Sequence, residues 1–191
     1  MRTLSTLVTA LFMTAAPIAF ADEVVRGVKD VATITDELGV SRMLFRLDGG
    51  IDVPSFAIER ATLDLGLVGE REDRSFALQI HPVTREWNRE SVDWTTGWTR
   101  PGGDFEDDLY AKSRVHFGGG DTRGIFDLTV PLKEVLEVGV PADGFILTLS
   151  PIEGRGIPAE ALSRFANLDQ ATVRILYKVL PPGRQDRQSR G

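Results

Sequence analysis

The residues best suited to ligand chemistry lie in one short stretch, from Val83 to Trp98, which holds all three tryptophans of the chain. Sugar rings present C–H faces that stack on aromatic rings, while their hydroxyl groups need polar partners. The stretch supplies both kinds of group, with Trp98 as the candidate platform and four candidate polar partners: Arg85, Asn88, Arg89 and Glu90. These residues predict binding of a polysaccharide rather than a reaction.

The alternative for the indoles is a structural role. Trp87 and Trp94 lie seven positions apart around a turn, and both could pack inward and close one end of a β-sandwich core. A buried aromatic side chain removes roughly 150–250 Å² from water, and surface tryptophans are uncommon. A core role is therefore the preferred interpretation for this pair. Trp98 precedes a Gly- and Pro-rich loop, where ligand contacts are common, and both roles stay open for it.

An acidic run follows the tryptophans and could bind a metal. Asp104, Asp107 and Asp108 carry hard carboxylate oxygens of the kind that calcium takes. The run lacks the D-x-D-x-D spacing of a dedicated calcium loop, so a solvated acidic loop is the preferred interpretation. Calcium is the only cofactor that the sequence suggests, and no other metal or organic cofactor is expected.

No residue pattern predicts catalysis. The only histidines, His81 and His116, fall at outward strand positions, whereas a catalytic zinc usually needs about three protein ligands including histidines. The chain has no G-x-S-x-G nucleophile elbow. Glu86 and Glu90 could in principle pair as acid and base for glycoside cleavage, but two carboxylates on one loop are common. We therefore expect a protein that is not an enzyme.

The elements that must position these residues read as short strands, because apolar and polar residues alternate between turn signals. In Arg60–Leu67, for example, Ala61 and Leu63 fall on one face. Short helices fit at Pro131–Val138 and Pro158–Phe165. The fold predicted is an all-β, two-sheet antiparallel β-sandwich, jelly-roll-like, with one or two short helices. Its strands are expected at Val31–Thr35, Arg42–Asp48, Arg60–Leu67, Phe76–His81, Leu109–Phe117, Ile125–Val130, Phe145–Leu149 and Ala171–Val179.

Two polar pairs on these strands are interpreted as structural. Asp127 and Thr129 share the outward face of one predicted strand and are expected to bond neighbouring backbone at the sheet end. Arg46 and Asp48 also share a face and could form a cross-strand charge pair.

The ends of the chain read as an export signal and a tail. Residues 1–21 combine Arg2, an apolar run and the Ala19-Phe20-Ala21 cleavage pattern, which predicts a signal peptide. Residues 180–191 have little to bury and predict a disordered basic tail. Residues 22–179 are then one β-sandwich domain. The chain has no cysteine, which suits an exported bacterial protein with a core that is stable without disulfides. We expect a periplasmic or extracellular protein that does not span a membrane.

A family resemblance extends over nearly all of the mature chain. It is carried, in order, by RMLFRLD (42–48), IERATL (58–63), VTREWNRESVDW (83–94), FDLT (126–129), GFIL (144–147) and VRILY (173–177). These segments resemble the DNRLRE family of bacterial secreted domains, and the two-tryptophan segment is the most specific. The resemblance implies a β-sandwich, of which some examples are described as carbohydrate-binding modules. It marks four signature positions as structural: Trp87, Trp94, Asp127 and Thr129. The family's namesake hexapeptide does not occur literally.

The net charge of the chain limits the classes of partner that it can be expected to bind. The net charge is −6 at pH 7, which argues against nucleic acid or an anionic membrane surface as the main partner. We therefore expect an exported, non-catalytic binding module for a polysaccharide or another cell-envelope component. The alternative is a structural or assembly protein of the periplasm or cell surface that binds a protein partner.

Overall fold

A computed structural model describes residues 21–49, 51–67, 74–117, 122–138, 143–149 and 166–179 of the chain. Eight strands and one α-helix lie within these ranges, together with a 3₁₀ turn at Ser55–Ala57. In chain order they are β1 (Ala21–Thr35), β2 (Ser41–Leu47), β3 (Ile58–Leu67), β4 (Arg74–Pro82), β5 (Ala111–Phe117), β6 (Thr122–Asp127), α1 (Thr129–Val138), β7 (Phe145–Leu149) and β8 (Ala166–Lys178).

The strands form one antiparallel sheet in the order β5-β4-β7-β2-β1-β8-β3-β6. The sheet is nearly closed, since its two edge strands, β5 and β6, approach each other. The prediction of an all-β antiparallel fold is confirmed. No helix in the described part of the chain is long and apolar enough to cross a membrane.

Strand β1 changes partner halfway along its length. Residues Ala21–Gly27 pair with β8, and residues Val28–Thr35 pair with β2. The register shifts between Lys29 and Ala32. Within this irregularity Asp30 has a φ of 51°, a left-handed conformation that Asp tolerates better than most residues. The bulge turns the strand so that one continuous segment serves two groups of strands.

The main core lies on the inward face of the sheet. Predicted inward residues of β2 and β3 are buried there, as the alternation requires. Helix α1 adds Leu132, which is 1% exposed. The fully or almost fully buried members include Met43, Phe45, Ala61, Leu63, Leu65, Phe126, Leu128, Phe145, Leu147, Val173 and Ile175.

A second apolar cluster lies on the outward face of β2 and β7, which we expected to be polar and solvated. Leu44 of β2 and Ile146 of β7 are both fully buried there. The prediction that His81 occupies an outward, solvent-facing position is wrong, because this histidine is 5% exposed. The segment that covers the face is the connection between β4 and β5, which contains the tryptophans.

Element boundaries differ from the prediction at two informative places. Strand β1 begins at Ala21 instead of Val31, and β6 ends at Asp127. Thr129 is therefore the first residue of α1. The prediction that Asp127 and Thr129 share a strand is wrong. The predicted helix Pro158–Phe165, the tail 180–191 and residues 1–20 of the predicted signal peptide lie outside the described residues.

Candidate functional site

The candidate site is the segment Val83–Tyr110 between β4 and β5, called the tryptophan loop below. It contains no helix or strand and returns on itself through a bridge between Val83 and Phe105. Backbone hydrogen bonds fix both of its ends. Thr84 N–H donates to the Asp104 carbonyl at 2.9 Å, and Glu106 N–H donates to the Pro82 carbonyl at 3.1 Å. The loop is therefore anchored as a closed flap on the sheet.

The first anchor is a cluster of Arg46, Trp87 and Asp143, called the arginine clasp below. Arg46 donates to both carboxylate oxygens of Asp143, at 3.0 and 2.7 Å, and to the Trp87 carbonyl at 2.6 Å. Trp87 donates its backbone N–H to the Asp143 carboxylate and its indole N–H to the Asp143 carbonyl. The guanidinium also lies 4.2 Å from the centroid of the Trp87 ring. Every polar atom of this indole is thus used internally.

The charges of the clasp support one another. The hydrogen bond from Arg46 to Asp143 raises the pKa of the guanidinium, against the opposing effect of burial. The predicted pair between Arg46 and Asp48 is wrong, because Arg46 instead pairs with Asp143 and, at 3.5 Å, with Asp30. Asp48 lies 3.9 Å from Lys29.

Gly144 follows the clasp with a φ of 101°. A Cβ atom at this position would overlap the carbonyl oxygen of Phe45 and approach the Arg46 side chain. Only glycine combines this backbone conformation with such a close approach of two strands.

The second anchor is a stack of alternating rings and guanidinium groups. Arg42 lies 4.8 Å from the Trp94 ring and 5.1 Å from the Phe105 ring, and Arg100 lies 4.6 Å from Phe105. Arg42 also donates to the Gly102 carbonyl at 2.5 Å. Burial lowers the pKa of Arg42, and the neighbouring positive charge of Arg100 lowers it further. Two guanidinium groups therefore lie against the Phe105 ring.

Two aspartates fix the turns within the loop. Asp93 accepts hydrogen bonds from the backbone and side chains of Thr95 and Thr96, and these bonds hold its pKa well below the ordinary value. Trp98 donates its indole N–H to the Asp93 carbonyl at 2.8 Å. The Trp98 side chain is partly buried against the outward apolar cluster.

Asp104 fixes the second turn and is 8% exposed. Burial acts to raise its pKa, but hydrogen bonds from Thr99 and from the Arg100 backbone outweigh that effect and lower it. Asp104 was expected in a solvated acidic loop, and that expectation is wrong for this residue. Asp107 pairs with Arg100 at 2.6 Å. The described residues contain no group of three or more His, Cys, Asp or Glu side chains that could hold a metal ion.

The outer surface of the tryptophan loop carries open depressions, of which a larger and a smaller one bear on the site. The larger has a volume of about 590 Å³, and the smaller, of about 290 Å³, lies beside Trp87 and Asn88. The lining of the larger one is mostly polar and comprises Thr84, Arg85, Thr99, Arg100, Asp104, Phe105, Glu106, Asp107 and Asp108.

The predicted ligand residues are distributed unevenly between these depressions. Arg85 lines the larger one and Asn88 the smaller one, while Arg89, Glu90 and Trp98 line neither. All of them except Trp98 have exposed side chains. The predicted residues therefore share one loop surface without converging on one pocket.

The charged side chains of the loop divide into two groups. Arg100, Asp93, Asp104 and Asp107 are engaged in holding the backbone, as described above. A second group makes no side-chain hydrogen bond or salt bridge with another described residue and faces solvent: Glu86, Arg89, Glu90, Glu106 and Asp108. Arg85 is intermediate, since its one contact is with Asp104 at 3.6 Å. This second group is the part of the charged surface that holds no other segment in place.

Sequence reasoning missed Arg42, Arg46 and Asp143 as organisers of the loop. The available signal was that Leu44 and Ile146, both apolar, occupy outward strand positions beside them. Asp127 and Thr129 belong to another part of the fold. Thr129 donates to the Asp127 carboxylate, and its hydroxyl oxygen accepts the Ala61 backbone N–H at 2.9 Å.

A comparison of the chain with models of known protein families finds no match, and a comparison with curated proteins finds none either.

Proposed function

We propose that the protein is an exported, non-catalytic binding module that recognises a polysaccharide through the exposed side of the tryptophan loop. The observation that carries the proposal is a long irregular loop fixed by buried contacts, with an open polar depression left on its surface. A ligand-binding loop that is already ordered in the free protein loses little conformational entropy when the ligand binds. A volume of about 590 Å³ lies within the ordinary range of ligand sites, roughly 300–1,000 Å³.

The hydrogen-bonding groups around the depression suit sugar hydroxyls. Glu106 and Asp108 can accept from hydroxyl groups, and Arg85 retains donors beyond its contact with Asp104. Stacking on Phe105 is limited, because two guanidinium groups already lie against its ring. Trp98, which is partly buried and lines neither depression, is the remaining aromatic candidate on the loop. The proposal is one of binding without catalysis, since no residue pattern in the sequence predicts a reaction.

We propose in addition that the sheet works as two packed layers of a jelly roll. The support is the change of partner within β1, which divides the order into β1-β8-β3-β6 and β2-β7-β4-β5. This grouping is expected of eight strands arranged as two Greek keys. Kinship with the DNRLRE family is proposed as well. It is supported by Arg46, Trp87 and Gly144, which stand in three separate resembling segments and meet in one cluster.

The test is affinity electrophoresis followed by calorimetry against a panel of neutral and acidic polysaccharides. We expect retention by at least one polymer, and a loss of affinity of about fivefold or more, roughly 1 kcal/mol, in Arg85→Ala and Trp98→Ala. Arg174→Ala, which removes an exposed arginine from β8, is the matched control and should bind normally. Absence of retention by every polymer, or affinities unchanged in both loop variants, would remove the proposal.

A second candidate function is a structural or assembly role with a protein partner. It is favoured by three exposed apolar side chains on the outward face of β1, β6 and β8, namely Val25, Ile125 and Leu176. The tryptophan loop does not cover this face. A stoichiometric complex with one cell-envelope protein that is lost in Ile125→Lys, without any glycan retention, would support this role.

A further inference from the structure

We infer that His81 is a proton-sensitive latch for the wall of the larger depression. His81 lies near the end of β4, beneath the segment Gly103–Tyr110 of the tryptophan loop. Its Nδ1 atom lies 2.9 Å from the Glu106 carbonyl oxygen. Because a carbonyl can only accept, Nδ1 carries a proton in this contact, and in the neutral imidazole the unprotonated nitrogen is therefore Nε2.

The ring is enclosed by the segment that it holds. Its centroid lies 4.8 Å from that of Phe105 and 5.4 Å from that of Tyr110, and the residue is 5% exposed. Phe105 and Glu106 also line the larger depression. A change in the packing of His81 is therefore a change in the wall of the candidate ligand site.

The charges that face His81 come from two elements. Arg42 of β2 and Arg100 of the loop oppose protonation, whereas Asp107 and the Glu106 carbonyl favour it. Burial is the largest effect and lowers the pKa of His81 below the ordinary value. A second proton on the ring would place a buried cation beside two arginines, each of which is already stacked on Phe105.

The direction of the response follows from this balance. With the pKa lowered in the closed state, acidification through the ordinary range of histidine, around 6.5, favours conformations in which the ring meets water. The Gly103–Tyr110 segment is the part that must move to admit water. For each unit by which the pKa of the open state exceeds that of the closed state, acidification can raise the equilibrium constant for opening by up to about tenfold. The pKa values of Asp93, Asp104 and Asp107 are lowered by their hydrogen bonds, so these three carboxylates stay charged between pH 7.5 and 5, and the two histidine variants assign the response in that interval.

The first experiment measures amide hydrogen exchange between pH 7.5 and 5, corrected for intrinsic rates. We expect the protection of the Glu106 amide, which donates to Pro82, to fall by at least about threefold. Amides of β3 should keep theirs. His81→Gln should abolish the response, while His116→Gln, which removes the only other histidine, should preserve it. Protection of Glu106 that is independent of pH, or a response that survives His81→Gln, overturns the inference.

Direct titration provides a second readout that does not depend on opening. Proton NMR of the two histidine rings, assigned with the same two variants, should place His81 below the ordinary value. A pKa at or above that value overturns the inference, whatever the exchange data give.

The consequence for ligand retention rests on the proposed function. If a polysaccharide binds at pH 7.5, its retention should weaken at pH 5 in the unmodified protein and in His116→Gln, but not in His81→Gln. Glycan binding that is insensitive to pH, alongside a normal exchange response, would separate the latch from the ligand site. Absence of any glycan binding would refute the proposed function. The role of His81 would then be decided by the hydrogen-exchange and NMR results alone.

Discussion

Replacement of Arg46 by alanine is the sharpest test of how the tryptophan loop is held. The substitution removes two hydrogen bonds to Asp143, one to the Trp87 carbonyl and the cation–π contact with the Trp87 ring. It also leaves the Asp143 carboxylate without its main counter-charge. The loop would then keep its apolar contacts but lose the polar link between β2, Trp87 and the start of β7.

The magnitude follows from the burial of the pair. The side chains of Arg46 and Asp143 are 22% and 23% exposed, so the pair is mostly shielded from solvent. Breaking a fully buried pair by removing one partner costs about 3–5 kcal/mol, and the lower end, about 3 kcal/mol, is expected for this geometry. For a domain of this size that loss lowers the melting temperature by roughly 6–12 °C. Arg174→Ala breaks a pair whose side chains are 55% and 48% exposed, and should cost less than about 0.5 kcal/mol.

The assay is urea unfolding followed by far-UV circular dichroism, because the tryptophan signal itself depends on the Arg46 contact. A double-mutant cycle with Asp143→Ala should give a coupling energy of at least about 1 kcal/mol. The reasoning fails if Arg46→Ala is no more destabilising than Arg174→Ala. It fails equally if the effects of the two clasp substitutions are additive.

Three further predictions concern single contacts. Gly144→Ala should lower stability by about 2 kcal/mol or more in thermal melts, since its Cβ would overlap the Phe45 carbonyl. Gly39 also has a positive φ, but a Cβ there would meet open space, so Gly39→Ala should cost only about 1 kcal/mol. Equal losses of stability in the two variants would contradict the overlap at Gly144. Thr129→Val should cost about 1–2 kcal/mol in urea unfolding, since the Ala61 N–H loses its acceptor. Asp104 has a lowered pKa in the folded protein, so Asp104→Asn should destabilise above pH 4. That difference should shrink as pH falls through the folded pKa, and a constant difference down to pH 2 would argue against it.

The sequence predicts the inward faces of the strands well, because a period of two leaves one apolar side that must be buried. Ala61 and Leu63 are completely buried, as expected, and β7 has the predicted bounds, Phe145–Leu149. The pattern is silent on what covers the other side. The outward face of β2 reads polar because Arg42 and Arg46 flank Leu44, yet it is the base on which the tryptophan loop lies.

The sequence indicated the loop that is the candidate site here, but not the roles of its residues. Composition directed attention to Val83–Trp98, where the loop does carry the exposed Arg85 and Asn88. Spacing could not distinguish the buried Trp87 from the other tryptophans, because the residues that bury it are distant in sequence. Asp143 lies 56 positions away from Trp87 along the chain. Such contacts depend on which strands are neighbours in the sheet. The pattern of a single sequence does not determine the strand order, and the loop has no periodic pattern of its own.

The two arginines on β2 explain how a segment without helix or strand can be held so firmly. An irregular loop leaves carbonyl groups without backbone partners, and each buried one is costly. A guanidinium has five N–H donors in a plane that also stacks on rings, so one side chain can satisfy carbonyls, bind a carboxylate and cover an indole together. Arg46 does all three around Trp87, and Arg42 satisfies the Gly102 carbonyl and covers the Trp94 ring. Because structural contacts occupy these groups, the proposed ligand surface consists mainly of exposed side chains without such a role, among them Glu106 and Asp108.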